Sequence, residues 1–248
     1  MKFNIIHFDE IDSTNQYCLK NACDLPDFSV ITANQQTSGR GRKGRKWHSP
    51  KGGNLYFSLL IKSCDIKLTE LSSLPQIMAL SICESLKNCG IENSWIKWPN
   101  DVFVNQDKIC GVLCETRLKG PKLEGLVIGV GLNVNMSAED LARIDTLATS
   151  MLMESNDKEP FNSKETLSVI LRAFNRNFNL WLNESSRQEL VELWRQNSQL
   201  IGKPVKLIDD EKTIYGSVVD FTENGEIILQ NEQGMRTYSY GDLSLRLQ

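Results

Sequence analysis

Short apolar stretches separated by turn residues dominate the first half of the chain. FNIIHFDEI (3–11) predicts a strand, and Ser13-Thr14-Asn15-Gln16 then opens a helix, with Ser13 and Gln16 at capping-box spacing ahead of Tyr17 and Leu19. SVITA (29–33) predicts a second strand, and LYFSLLI from Leu55 is apolar enough for a strand buried on both faces. Leu74, Ile77, Met78, Ile82 and Leu86 share one face of a helix over about 70–89, with Pro75 in its first turn and Gly90 at its end. SWIKW, VFV, KICGVLCET and LEGLVIGVGLNV follow as strands divided by turn signals such as Pro99-Asn100-Asp101, which predicts a sheet with several antiparallel steps. Leu167, Ile170, Leu171, Phe174, Phe178 and Trp181 form one helical face over 163–182, and Leu190, Leu193 and Trp194 predict another helix. Both helices are expected to cover one face of the sheet.

From Ile201 the texture changes to short alternating segments, PVKLID, TIYGSVVDF, GEIILQ and TYSY, with turns at Asp209-Asp210, Asn224-Gly225 and near Gly234. The whole pattern predicts an α/β (α+β) fold: a mixed β-sheet flanked by helices over 1–199, and a small barrel over 200–248. So short a unit gains stability by docking on the main domain. Neither internal repeats nor low-complexity segments are present.

Composition narrows the function classes. Charged residues make up 24% and hydrophobic residues 40%, and a net charge of −3 argues against a dedicated nucleic-acid coat. No apolar run is long enough to span a bilayer, and Asp9 and Glu10 follow the first apolar run with no small-residue cleavage site, so it does not read as a signal peptide. Seven irregularly spaced cysteines read as free thiols of a reducing compartment, with the cytoplasm as the expected location. With only His7 and His48 and no CxxC pair, a zinc site is not expected; Cys110 and Cys114 read as small buried hydrophobes on one face of a strand.

Against this background GRGRKGRKWHSPK (39–51) stands out, with six cationic side chains from Arg40 to Lys51 and no acid. Glycines let the backbone approach an anion closely, and arginines offer planar, bidentate donors. Three readings fit the stretch: a small-anion site, a nucleic-acid or localisation patch, and a solvated turn. A nucleic-acid groove calls for aromatic platforms and further positive charge, and only Trp47 is near. Two other stretches bear on the choice. Lys97-Trp98-Pro99-Asn100-Asp101 puts a lysine at a strand end beside a tight turn, and Gly129 to Asn135 places two glycines within an apolar strand, as close approach by a ligand or another backbone requires. Taken singly, each also reads as plain turn chemistry or a bulge. No GxGxxG lies between a strand and a helix, so the dinucleotide fingerprint is a poor match.

Taken together and in this order, DSTNQ, QQTSGRGRKGRKWHSPKGGNLYFSLL, IKWPNDVFV, KICGVLCE and GVGLNVN resemble the biotin protein ligases. The tail, IGKPVKL through GDLSLRL, is similar to that family's C-terminal SH3-like barrel. The resemblance implies a catalytic domain of the class II aminoacyl-tRNA-synthetase and biotin/lipoate-ligase type. It also implies an enzyme that uses ATP and Mg²⁺ to turn biotin into biotinyl-5′-adenylate and pyrophosphate. Biotin then passes to a lysine of a biotin carboxyl carrier domain of a carboxylase. The helix-turn-helix of bifunctional members has no counterpart here, so a DNA partner is not expected, and with apolar runs too short to span a bilayer neither is a membrane partner; monomer and homodimer both stay open.

The same resemblance implies the site. Lys97 bridges the carboxylate and α-phosphate, and Arg40 and Arg42 are loop cations that hold the adenylate. Lys108 assists positioning during transfer, with Asp101 beside it; a surface ion pair is the plainer reading of those two. Ser13, Thr14, Asn15 and Gln36 meet the ureido ring, although Ser13 also reads as the helix cap, and Gly41, Gly111 and Gly131 admit ligand by backbone contact. Asn100 is implied for the adenylate, as are Trp47 and Asn133, and Arg45 for the pyrophosphate end. Trp98 reads equally as core. Metal ligands are not indicated. A mixed anhydride must be kept from water, so residues 37–52 are expected to close over it. Lipoate ligases, which share the adenylation chemistry, are the alternative enzyme, and a nucleic-acid module is the alternative of another class.

Overall fold

The computed structural model describes residues 1–62, 66–120, 122–144, 146–208, 212–239 and 244–247. Strand β1 (Asn4–Ile11), helix α1 (Thr14–Asn21) and strand β2 (Ser29–Gln36) form a unit in which β1 and β2 pair in parallel. Strand β3 (Leu55–Ile61) runs antiparallel to β2 and is buried at all seven positions, matching its unbroken apolar run. Helix α2 (Leu74–Asn88) carries Pro75 in its first turn, and the 3₁₀ segment Leu68–Ser73 precedes it. The predicted 70–89 helix divides there because proline cannot continue an α-helical ladder from the preceding turn. Strands β4 (Ser94–Lys97), β5 (Asp101–Val104), β6 (Asp107–Lys119) and β7 (Lys122–Leu132) form an antiparallel meander. β7 returns to pair with β3, which gives the sheet order β1-β2-β3-β7-β6-β5-β4.

Side-chain alternation divides this mixed sheet into two faces. One carries Val30, Phe57, Leu59, Val112, Ile128 and Val130 into the main core, where α2 lies on the sheet. Cys110 belongs to that core and Cys114 packs against it, as their spacing predicts. The short helices α3 (Ala138–Leu141) and α4 (Met151–Glu154) follow β7, then α5 (Ser163–Leu182) and α6 (Arg187–Gln196). The apolar face of α5 enters the same core, and Asn162 caps its first turn by accepting from the Lys164 and Glu165 amides. The opposite sheet face is covered only in part: Ile31, Leu60 and Val127 pack on Cys18 of α1 and on Ala22, which caps its C-terminus.

The C-terminal strands β8 (Pro204–Ile208), β9 (Thr213–Phe221), β10 (Ile227–Asn231), β11 (Gly234–Tyr238) and β12 (Ser244–Leu247) form an antiparallel sheet ordered β11-β10-β9-β8-β12. Val205, Leu207, Val218, Leu229 and Leu245 join the main core, so the small sheet is docked on the N-terminal part of the chain. β11 starts at Gly234, three residues before the predicted TYSY segment, because Gly234 pairs directly with Asn231 across a tight turn. The predicted Asp209-Asp210 turn, and Tyr240 of TYSY, lie outside the described residues. Among the described residues no helix is long and apolar enough to cross a membrane, and six cysteines are free thiols.

Candidate active site

One register row crosses the whole main sheet. Phe8, Ala33, Tyr56, Gly131, Gly111, Asp101 and Lys97 are successive Cα partners from β1 to β4. They project on the face that α1 covers only partly, and two adjacent positions of the row, Gly131 and Gly111, carry no side chain. Lys97 and Asp101 stand at the far end of that bare strip.

At the near end, the α1 N-terminus brings a polar network over β2, β3 and β6. The Thr14 amide and hydroxyl both donate to Gln36 Oε1 (3.0 and 3.2 Å), and Gln36 Nε2 donates to Ser49 Oγ (3.0 Å). Ser58 Oγ is 2.7 Å from Thr14 Oγ1 and also meets Asn15 Oδ1. The Asn15 amide donates to Leu113 O (3.2 Å) and Glu115 Oε2 (2.9 Å). Asn15 is 4% exposed and lies directly over Gly129, where a Cβ would come within 2.6 Å of its Cγ. Gly129 therefore makes room for Asn15. Ser13 caps α1 by accepting from the Gln16 amide at 3.4 Å, so the cap reading is realised here.

The basic stretch forms a small hairpin over the same face. Trp47 N donates to Gly39 O (2.9 Å) and Gly41 N to Arg45 O (2.7 Å), with Lys43 and Gly44 at positive φ in the turn. A Cβ at Gly41 would have ordinary room, 3.5 Å from Arg45 O, so the backbone alone does not demand glycine there. The hairpin lays the Trp47 indole on the bare strip, where a Cβ on Gly131 would come within 2.8 Å of Cζ2 and one on Gly111 within 3.1 Å of Cζ3. The close approach expected of Gly111 and Gly131 is thus made by an indole in this structure. Arg40 donates to Glu115 Oε2 (2.8 Å), the oxygen that also holds Asn15. Arg42 donates to Asn100 Oδ1 (3.3 Å), and Asn100 Nδ2 is fixed on Val112 O (2.7 Å). Two donors on this face, Arg40 Nε and Trp47 Nε1, are buried with no acceptor among the described residues. Buried donors of this kind ask for a bound acceptor or water. Arg45 is exposed at the hairpin tip.

Lys108 donates to Asp101 Oδ1 (2.7 Å), its ammonium 5.3 Å from the Trp47 ring centroid. Lys97 is half-buried with its ammonium 4.8 Å from the Phe103 ring centroid. Burial lowers its pKa below that of a free lysine, Arg246 and Lys108 lower it further, and Asp101 acts the other way. Asn133 points elsewhere: it is buried and donates to Thr149 O (3.0 Å), tying β7 to the segment before α4. Trp98 is core, 2% exposed.

These residues can therefore gather anions along a strip walled by polar amides and hydroxyls at one end and cations at the other. Comparison with known proteins bears directly on what those anions are. Residues 7–133 match the biotin/lipoate A/B protein ligase family, and residues 200–246 match the biotin protein ligase C-terminal domain. The chain belongs to the biotin/lipoate A/B protein ligase family. The bifunctional ligase/repressor BirA of Escherichia coli is 30% identical over 238 residues, 95% of this chain and 72% of that protein. The biotin–[acetyl-CoA-carboxylase] ligase of Paracoccus denitrificans is 28% identical over 226 residues, 90% of this chain and 92% of its own length. A structure of biotin protein ligase from Aquifex aeolicus in complex with biotin and ATP superposes with a TM-score of 0.84 at 30% identity, covering 99% of each chain.

Around this strip, four residues escaped the sequence reading. Ser58 is hidden in an apolar run, Ser49 follows the basic residues, and Glu115 sits mid-strand in β6. Arg246 comes from β12, over a hundred positions from Lys97, and nothing local to either residue signals the pairing. A groove of about 570 Å³ also opens beside β6, lined by Asp107, Leu141, Ile144, Leu147, Met153 and Glu154. Lys108 N donates to Leu147 O at its edge (3.2 Å).

Proposed function

We propose that the chain is a biotin protein ligase working in two steps at this site. In the first, a biotin carboxylate oxygen attacks the α-phosphorus of ATP, the bond to the bridging oxygen breaks, and pyrophosphate leaves. In the second, a lysine amine of a biotin carboxyl carrier domain attacks the acyl carbon; the amide forms, AMP leaves with the C–O bond electrons, and the amine gives up a proton. The observation that carries this reading is the strip itself. A neutral polar network fits the ureido end, Lys97 and Lys108 lie at the other end, and the loop donors Arg40 Nε and Trp47 Nε1 are unmet between them.

In the proposed assignment Thr14, Gln36 and Ser13 face the ureido ring, and Asn15 keeps one lone pair of Oδ1 for it, since both of its N–H groups are already bonded. Arg40 and Arg42 hold the carboxylate and phosphate oxygens, and Lys97 stabilises the charge that builds as two anions meet. Lys108 keeps the mixed anhydride in place for transfer, Arg45 serves the pyrophosphate end, and Trp47 covers the adenylate as the 37–52 hairpin closes. Asn100 acts by holding Arg42, and Asn133 by fixing the wall near Thr149. The groove beside Lys108 is assigned to the nucleoside, whose flat base suits its apolar wall.

Magnesium is proposed to arrive with ATP. Among the described residues no cluster of three His, Cys, Asp or Glu could hold a metal, while Asp101 and Glu115 are bonded to Lys108 and Arg40. That donor set suits an ion carried on phosphate oxygens and water better than a protein cage. The proposal retains a catalytic domain over 1–199, a C-terminal domain over 200–248, a cytoplasmic setting, and no DNA or membrane partner; the net charge of −3 supports the last point.

The test is to incubate the protein with biotin and Mg·ATP and identify the bound product by mass. A retained biotinyl adenylate is expected, and its absence from folded protein would sink the reading. Arg42→Ala should form the adenylate but lose it to solution about tenfold faster, the cost of one charged hydrogen bond. Unchanged retention would reject that role for Arg42.

A further inference from the structure

Two consecutive carbonyls of one turn in the C-terminal sheet are held by four side-chain donors from the catalytic half. The turn joins β9 to β10 at Asn224-Gly225. Asn224 O accepts from Ser72 Oγ (3.0 Å) and lies 3.1 Å from Ser73 Oγ, whose single proton it shares with Glu70 O (2.9 Å). Gly225 O accepts from Gln76 Nε2 and from Trp98 Nε1 (3.0 Å). Ser73, Gln76 and Trp98 are buried, so their donors need acceptors inside the protein, and one carbonyl with two lone pairs serves both Gln76 and Trp98. Glycine is required for this: Gly225 has a φ of 73°, and a Cβ would lie 2.6 Å from Gln76 Nε2 and 3.1 Å from Ser73 Cα.

What makes the junction more than docking is the residue it holds. Trp98 follows Lys97 at the end of β4 and lies two residues before Asn100, which bonds Arg42 on one side and the β6 backbone on the other. We propose that the Asn224-Gly225 turn is a positioning element for adenylation, fixing through the Trp98 indole the stretch that carries Lys97 and Asn100. This inference rests on the ligase reading above, and it gives the C-terminal sheet a part in the first half-reaction without any contact with the reacting atoms. Without the bond to Gly225 O the Trp98 ring is no longer pinned to the C-terminal sheet, and as it shifts it takes the 97–100 backbone with it. In-line attack tolerates little of this, since a misplacement of about 1 Å can cost roughly a hundredfold in rate.

The experiment measures biotin-dependent ATP–pyrophosphate exchange and thermal stability in Trp98→Phe, which keeps an aromatic ring in the core but loses the N–H donor and part of the indole's volume, and in Gly225→Ala, which displaces the carbonyl from the other domain. A Ser72→Ala/Ser73→Ala variant is the control, since it removes two docking bonds that do not reach Trp98. Trp98→Phe and Gly225→Ala should each lower kcat about tenfold with the biotin KM within about twofold, while the serine variant keeps wild-type kcat. Two results would overturn the inference: wild-type kcat in either folded single variant, or kcat falling in all three variants in step with Tm, which marks the turn as structural glue. If the wild-type protein itself shows no biotin-dependent exchange, the ligase reading falls and takes the inference with it.

Discussion

Lys97→Met should reduce adenylate formation about a hundredfold or more, the scale seen when one preorganised donor to a developing charge is removed, and the variant should be at least as stable as the wild type. The two halves of this prediction share one cause. Burial, reinforced by Arg246 and Lys108, lowers the Lys97 pKa. A lysine with a lowered folded-state pKa binds fewer protons folded than unfolded, so its charge opposes folding below the lowered value. That penalty fades as pH rises towards the ordinary lysine value of about 10.4. Methionine keeps an unbranched side chain beside Phe103, gives up the ammonium's contact with that ring and removes the charge. The stability advantage of Lys97→Met over wild type is therefore expected at pH 7 and should shrink as pH is raised towards 10, as thermal melts across that range would show. A variant that melts well below wild type at pH 7 would mean that Lys97 is a structural cation.

Gly129→Ala should be the most damaging single methyl group in the site. The added Cβ would stand 2.6 Å from Asn15 Cγ and 2.8 Å from its Nδ2. Asn15 cannot step aside, because Ser58, Leu113 O and Glu115 hold it from three directions. We expect a loss of stability of about 1–3 kcal/mol from overpacking. A rise in the biotin KM of at least about tenfold should accompany it as the network from Asn15 through Ser58 to Thr14 is pushed apart. Gly131→Ala makes an instructive comparison, because the side chain in its way is Trp47 on the surface hairpin, which can lift. It should cost less stability and act mainly on adenylate retention. If isothermal binding finds biotin affinity unchanged in Gly129→Ala, the polar network does not hold the ureido end.

The difference between these two glycines shows where sequence reasoning reached and where it stopped. Alternation and helical spacing were enough for β3, α5 and the antiparallel run from β4 to β7, since each buries a continuous apolar face that period alone reveals. The four-residue helices α3 and α4 have no such face, and no local pattern announced them. At the site, Gly129 and Gly131 could be read as places of close approach, yet what approaches is fixed by tertiary structure: Asn15 arrives from α1 and Trp47 from the hairpin. Glu115 was illegible for a related reason. In a long β6 strand its position looks like any polar residue leaving the core, and only folding shows one oxygen receiving both Asn15 and Arg40. The Trp98 indole had an ambiguous reading, core or site, and the structure resolves it as core bonded to Gly225.

The most direct measurement is ATP–pyrophosphate exchange by the purified protein with Mg²⁺, run with biotin, with lipoate and with no added acid. The family match embraces both biotin and lipoate ligases, so the comparison separates them at the chemical step. Exchange is expected with biotin alone. Exchange with lipoate and none with biotin, or silence with both from a folded sample, would contradict it.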